Sequence, residues 1–368
     1  MPRPMKIGII GAGNIAAAYL NATKTFPILD VVAIADLDES RARARAEEFS
    51  VTAKATPADI LSDPEIEIVI NLTIPAAHYS VSKAALESGK HVYGEKPFAL
   101  TREEGDELLA LAAAKGLRIG CAPDTFFGGS HQTCRKLIDD GWIGEPIGAT
   151  GFMMGNGPEG WHPDPEFFYK KGAGPMFDMG PYYLTAFVNL IGPFKRLTSS
   201  SRITFAQRKI TSKPKYGTYV DVETPTFIAG VIDFENGAVG TLTTTFDVQG
   251  SERKFIEIYG TEGTLLVPDP NGFGGVVKIK RRGADDFQEV PLAFGFTENS
   301  RGIGTADMAA AIQSGRAHRA SGALANHVLE AMHGFLDASA EGKHYEMKTV
   351  IERPAALPLN LPPDAVDD

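Results

Sequence analysis

Two stretches of this chain hold residue types that could act together on one bound molecule. The first is Gly11-Ala12-Gly13-Asn14-Ile15-Ala16, with Asp36 downstream. Gly11 suits a tight turn, Gly13 lets a diphosphate approach the backbone, and Ala16 lets a following helix pack closely. Asn14 and Ile15 complete the cradle. Asp36 stands at about the distance expected of a carboxylate that binds an adenosine ribose. It would accept from a 2′-OH and repel a 2′-phosphate, which favours NAD over NADP. Arg41 and Arg43 either soften that exclusion or stand as solvated helix charges. The second stretch is Glu95-Lys96-Pro97, an amine beside a carboxylate with its backbone restricted by the proline.

These residues require elements that hold them at one edge of a sheet. Ile7 to Ile10 and Val31 to Ala35 read as strands on either side of the glycine turn and its helix. Ile66 to Leu72, His91 to Tyr93 and Leu117 to Ala122 continue the strand series, with helices between them. Thr56-Pro57 reads as a helix start, and Thr101 with Glu104 reads as a capping box. The alternation predicts an α/β fold with a doubly wound parallel Rossmann sheet. Ligands on such a sheet bind beyond the carboxyl ends of its strands. Thr73 and Pro75 should therefore lie along the cofactor, and Glu95 and Lys96 beside the nicotinamide. His78 follows that turn, either on the cofactor side or as a capping and packing residue.

After Pro123 the pattern changes. Helices are expected over about 130–140, 178–190, 306–314 and 323–340. An irregular, aromatic-rich segment covers 155–171, and an antiparallel sheet runs from Leu197 to about Val290. The chain thus divides into residues 1–123, which bind nucleotide, and residues 124–368, an α+β unit with an open, mostly antiparallel sheet.

Length and composition bound the function. A chain of 368 residues can bury two cores. A formal charge of −10 argues against nucleic acid as a partner. Two cysteines, Cys121 and Cys134, without metal or redox spacing fit a reducing, cytoplasmic setting. No apolar run is long enough to span a bilayer. No cluster has the spacing of a metal site, so no metal is expected.

The motifs in their order resemble the glucose–fructose oxidoreductase / inositol dehydrogenase family (Gfo/Idh/MocA). The matching pieces are the glycine turn, Glu95-Lys96-Pro97, 140-DGWIGE-145, 172-GAGPMFDMG-180 and 260-GTEG-263. The resemblance implies a cis peptide before Pro97 and a C-terminal sheet that assembles homodimers or homotetramers. It also implies that the substrate hydroxyl meets Lys96, Asp178 and Tyr182. Tyr182 departs from the family pattern, in which a histidine is commonest at that position. On a helix Asp178 and Tyr182 are i and i+4 and share a face. Asp178 could instead be a helix N-cap, and only one of Tyr182 and Tyr183 can face the site. Burial and the positive cofactor would lower the Lys96 pKa, whereas Asp178 would raise it.

His162, in Trp161-His162-Pro163-Asp164-Pro165, is a candidate to line the substrate pocket, with Tyr169 and Asp124 weaker ones. His318 and His327 are expected to be structural. The function implied is NAD-dependent hydride transfer at a secondary alcohol or ketone of a sugar, polyol or related compound. One alternative is a glycoside-cleaving enzyme that uses tightly held NAD for transient oxidation. Another is a nucleotide-binding regulatory protein without turnover.

Overall fold

The structure, a computed structural model, describes residues 3–253 and 255–367. Its first sheet contains β1 (Met5–Ile10), β2 (Leu29–Ala35), β3 (Thr52–Ala53), β4 (Ile68–Asn71), β5 (His91–Gly94) and β6 (Ile119–Cys121). The strands are all parallel, in the order β3-β2-β1-β4-β5-β6. Met5, Ile7, Ile9 and Ile10 of β1 are buried, as are all four residues of β4. Such apolar runs suit strands covered on both faces. The covers are α1 (Ala16–Thr25), α2 (Glu39–Phe49), α3 (Pro57–Ser62), α4 (Pro75–Glu87) and α5 (Arg102–Ala114). Thr101 closes the capping box its spacing predicts, and Thr56, expected as an N-cap, closes a second one with Asp59. Chain order reverses between β1 and β4, and that reversal opens a crevice at the carboxyl edge.

The second half begins with α6 (Gly129–Asp139), β7 (Pro146–Met154) and α7 (Gly174–Leu190). It continues with β8 (Phe194–Arg202), a ribbon of β9 (Gln207–Lys209) and β10 (Tyr219–Asp221), β11 (Phe227–Phe234) and β12 (Val239–Thr245). Then come β13 (Ile256–Gly260), β14 (Gly263–Val267), β15 (Val277–Arg281) and β16 (Gln288–Val290). The chain closes with α8 (Ile303–Ser314), α9 (Gly322–Glu341) and β17 (Tyr345–Glu346). Nine strands form one sheet, β16-β15-β14-β13-β7-β12-β11-β8-β17. Every neighbouring pair in it is antiparallel except β12 and β7. Ile228, Ile232 and Leu242 are buried on the face that α7 and α9 cover.

Helix α7 starts a full turn earlier than the expected Asp178, with Pro175 in its first turn. Asp178 is therefore inside the helix and is not its N-cap. Pro181 also lies within α7 and cannot donate to the carbonyl four residues back. Helix α9 covers the second sheet and also reaches the first half. Asn326 of α9 donates to Asp106 of α5 (2.8 Å), and Arg102 pairs with Asp337. Cys121 N–H donates to the carbonyl of Ala320 (3.2 Å), so the outer edge of β6 is partly paired. His318 meets the carbonyl of Ile119, and His327 accepts from the Phe194 amide, which are structural roles as expected. Among the described residues no helix is long and apolar enough to cross a membrane.

Candidate functional site

The glycine turn joins β1 to α1 at the crevice. Gly11 has φ +109°, and a Cβ there would lie 2.5 Å from the carbonyl oxygen of Leu72. A Cβ on Gly13 would meet no protein atom within 4 Å. No side chain caps α1, although the Ala16 and Ala18 N–H groups bond to the Gly13 and Ile15 carbonyls, so the positive dipole end of the helix carries no acidic side-chain cap. The Asp36 carboxylate accepts from the Ala12 N–H (2.6 Å) and the Asp38 N–H (2.9 Å), which fixes it at the tip of β2. Arg41 pairs with Asp38 and Arg43 with Glu39, on the exposed side of α2. An open cradle, an uncapped helix end and a placed acid fit a dinucleotide. Asn14 is exposed and Ile15 half-buried at the helix mouth.

The strand-end loops after β4 and β5 are tied together. His78 is buried, with Nδ1 2.7 Å from the Pro97 carbonyl and Nε2 3.0 Å from the Thr73 carbonyl. Burial lowers its pKa, against the pull of those two carbonyls. Thr73 donates its hydroxyl to Asn71 (2.6 Å), and Asn71 donates to the His78 carbonyl and Ser82. Glu95 accepts from the Tyr19 hydroxyl of α1 (2.8 Å) and from the Lys96 N–H (3.1 Å). The Lys96–Pro97 peptide is cis.

Lys96 reaches across to α7. Its Nζ donates to the backbone carbonyl of Asp178 (2.6 Å) and to Oδ1 of the same residue (3.0 Å). It lies 5.2 Å from the centre of the Tyr182 ring. Burial would lower the Lys96 pKa, but Asp178, Tyr182 and Glu95 together outweigh it and hold the group protonated. Burial raises the Tyr182 pKa despite Lys96 and Arg301 nearby, so the phenol is neutral at ordinary pH. The adjacent Tyr183 points the other way and donates to the Phe152 carbonyl (3.1 Å). The site therefore presents one ammonium, its carboxylate partner and one neutral phenol.

Two cavities meet at Lys96. One, of about 330 Å³, is lined by Ile15, Thr73, Pro75, His78, Glu95, Lys96, Tyr182, Asn271 and Arg301. The other, of about 490 Å³, is more apolar, with Ile74, Leu100, Phe167, Phe168 and Phe177 beside Lys96 and Asp178. Sequence reading missed Arg301 and Asn271, which lie in loops with no local periodicity. Asp124 is buried and lines neither cavity. Its Oδ2 accepts from the Gly302 N–H (2.8 Å) and the Gly304 N–H (3.2 Å), which anchors the segment that carries Arg301.

Burial raises the Asp124 pKa to about 6, against the two amides that favour its charge. The unfolded value is lower, about 3.9. Between these values the folded state holds a proton that the unfolded state has lost. This carboxyl therefore costs stability as pH rises from about 4 through 6. Asp124→Asn should remove that downward slope. Chemical-denaturation midpoints at pH 4.5 and 7.5, compared between variant and parent, read the difference.

His162 and Tyr169 lie outside both cavity walls. His162 sits among Trp161, Phe167 and Phe168, with Nδ1 accepting from the Asp164 N–H (3.0 Å). Tyr169 is fully buried, donates to Glu159 and packs by Arg208, which also pairs with Glu159 and Asp247. The aromatic segment meets the larger cavity through Phe167 and Phe168 instead.

Known proteins show the same construction. A family model described as "Oxidoreductase family, NAD-binding Rossmann fold" matches residues 5–122. The "GFO/IDH/MocA C-terminal domain" matches residues 131–266. A dTDP-3,4-didehydro-2,6-dideoxy-alpha-D-glucose 3-reductase of Streptomyces antibioticus is 27% identical over 79% of this chain and 85% of its own. A D-glucoside 3-dehydrogenase of Escherichia coli is 28% identical over 69% and 74%. A levoglucosan dehydrogenase, in complex with NADH and L-sorbose, superposes with a TM-score of 0.81 at 23% identity, over 94% of this chain and 99% of that one.

Proposed function

The chain belongs to the GFO/IDH/MocA oxidoreductase family, and from that premise we propose that it transfers hydride between NAD and a secondary alcohol or ketone of a sugar or polyol. The observation that carries this reading is the Lys96 ammonium, bonded to Asp178 and lining a cavity that Ile15, just past the glycine turn, lines too. Bound nicotinamide supplies the hydride acceptor or donor. In the reductive direction Lys96 donates its Nζ proton to the carbonyl oxygen as carbon gains hydride. In the oxidative direction the same amine must first release its proton and then takes the hydroxyl proton, so oxidation should gain rate as pH rises. Asp178 fixes the amine's direction, and the Tyr182 phenol donates to the same oxygen. Gly11, Gly13, Asn14, Ile15, Asp36, Thr73, Pro75, His78 and Glu95 form the cofactor side. His162 and Tyr169 serve the substrate side only through the aromatic segment that carries Phe167 and Phe168.

In this reading residues 1–123 hold NAD, and residues 124–368 supply substrate and subunit contacts. Val231 and Val239 are exposed on the second sheet's outer face, which supports assembly of homodimers or homotetramers through it. The buried, unpaired thiols Cys121 and Cys134 fit a cytoplasmic protein.

The placed Asp36 carboxylate supports NAD over NADP, because Arg41 and Arg43 are paired along their own helix. A charged hydrogen bond is worth about 1.5–3 kcal/mol. Asp36→Ser should therefore cut the NAD-to-NADP ratio of kcat/KM by at least about tenfold. An unchanged ratio would remove Asp36 from the ribose site. The function itself is tested by following NADH formation across sugars, polyols and glycosides. Glycoside cleavage without accumulated NADH would replace net oxidation with transient oxidation.

A further inference from the structure

Arg301 stands out among the charged residues of the site because it is half-buried and has only neutral partners. Its Nη2 donates to the Asn271 side-chain oxygen (2.8 Å) and weakly to the Asn271 carbonyl (3.4 Å). Its Nη1 donates to the Asn299 side-chain oxygen (3.2 Å). Among the described residues no carboxylate pairs with it. Tyr182, the nearest electrostatic partner, is a neutral phenol, and the two carboxylates whose charge Arg301 feels, Asp124 and Glu95, are engaged elsewhere. Glu95 takes the Tyr19 hydroxyl and the Lys96 N–H, and Asp124 takes the Gly302 and Gly304 amides. Lys96, the other cation of the same wall, already has Asp178.

A guanidinium drawn partly out of water without an acid is costly. Here it is also held rigidly. Phe273 lies 5.9 Å below its charge centre, two asparagines fix its fork, and buried Asp124 clamps the backbone just after it. A planar, pre-oriented fork of donors is the arrangement that recognises a carboxylate in two-point contact. The fork lines the cavity of Tyr182 and Lys96, where a reacting hydroxyl would sit. The diphosphate has its own receptor in the glycine turn and the uncapped end of α1.

We propose that Arg301 is a specificity-determining residue that binds a carboxylate on the substrate, so that the preferred substrates are sugar acids, either uronates or aldonates. The proposal rests on the dehydrogenase reading but is tested by binding, so each can fail separately. Calorimetric titration of the NADH-loaded protein, and of the protein alone, would compare matched pairs: D-glucuronate with D-glucose, D-galacturonate with D-galactose, and D-gluconate with D-glucitol. NADH affinity is read in parallel by fluorescence.

A charge-assisted pair predicts that at least one acid binds about tenfold to a hundredfold tighter than its neutral partner. Arg301→Gln should erase that ratio, and Arg301→Lys should restore part of it. Equal affinity within every pair in the unaltered protein overturns the proposal whether or not a variant folds. So does an acid preference that survives Arg301→Gln. A loss of NADH affinity in Arg301→Gln, with the acid-to-neutral ratio intact, would assign the guanidinium to the cofactor's phosphate and overturn it too. Absence of turnover with bound acid and NAD would count against the dehydrogenase reading alone.

Discussion

Lys96→Met is expected to lower kcat for carbonyl reduction by about 10²–10⁴, the range for loss of a placed general acid. The substitution keeps most of the side-chain length and removes the group that bonds both the Asp178 carboxylate and its backbone carbonyl. The protein should remain folded, because the Lys96 partners are confined to the site. Steady-state rates beside a circular-dichroism spectrum decide the matter, and a variant as active as its parent would exclude Lys96 from proton transfer. The pH dependence has a definite sign. Burial lowers the Lys96 pKa, but Asp178, Tyr182 and Glu95 leave it raised above the ordinary lysine value. The ammonium is thus fully present at neutral pH, and reduction should lose rate only on the strongly alkaline side. The ion pair's contribution to stability follows the same course: complete below about pH 10.4 and lost as pH climbs through the folded value.

Gly11→Ala should be the most disruptive single methyl in the nucleotide half, and Gly13→Ala its control. At Gly11 the added carbon would sit 2.5 Å from the Leu72 oxygen and 2.6 Å from the Leu72 carbonyl carbon, in a backbone at φ +109°. Both neighbours are main chain at the end of β4, so neither can turn aside. Strain of this kind costs about 1–3 kcal/mol. At about 2.1 cal/mol/K of unfolding entropy per residue, each kcal/mol lowers Tm by about 1–2 °C in a chain of 368 residues. At Gly13 nothing in the protein opposes a methyl. That variant should melt like its parent yet bind NADH at least about tenfold more weakly, since the methyl fills space left for the diphosphate. Thermal melts and NADH titrations on both variants test the contrast, and normal NADH affinity in Gly13→Ala would move the diphosphate off this turn.

Local chemistry made much of this legible. The turn glycines, the helix caps at Thr56 and Thr101 and the acid at the tip of β2 each rest on a handful of neighbouring residues. The Lys96-to-Asp178 contact was available only through the family resemblance, because 82 residues separate the two. The expected helix start at Asp178 lies a turn too late, because Pro175 is the stronger first-turn signal. The three consecutive aromatics Phe167, Phe168 and Tyr169 form a 3₁₀ turn, in which successive side chains point about 120° apart. Composition cannot tell which of them faces a cavity; Phe167 and Phe168 do, while Tyr169 lies wholly in a small separate core that Phe168 shares. Arg301 and Asn271 carry no spacing signal at all, since tertiary topology alone brings their loops to Lys96 and Tyr182.

The pairing of Cys121 with Ala320, and the docking of α9 on α5, bear on how this architecture can be inherited or rebuilt. A gene fusion cut at Pro123 would transplant a nucleotide sheet without the helix that shelters its last strand. It would leave hydrogen-bonding groups on that strand exposed and ready to recruit another chain. Exchange of reactivity between relatives is better made in the 155–172 segment and the Asn271 and Arg301 loops, which can be rewritten while both ends of the polypeptide stay with their own partners.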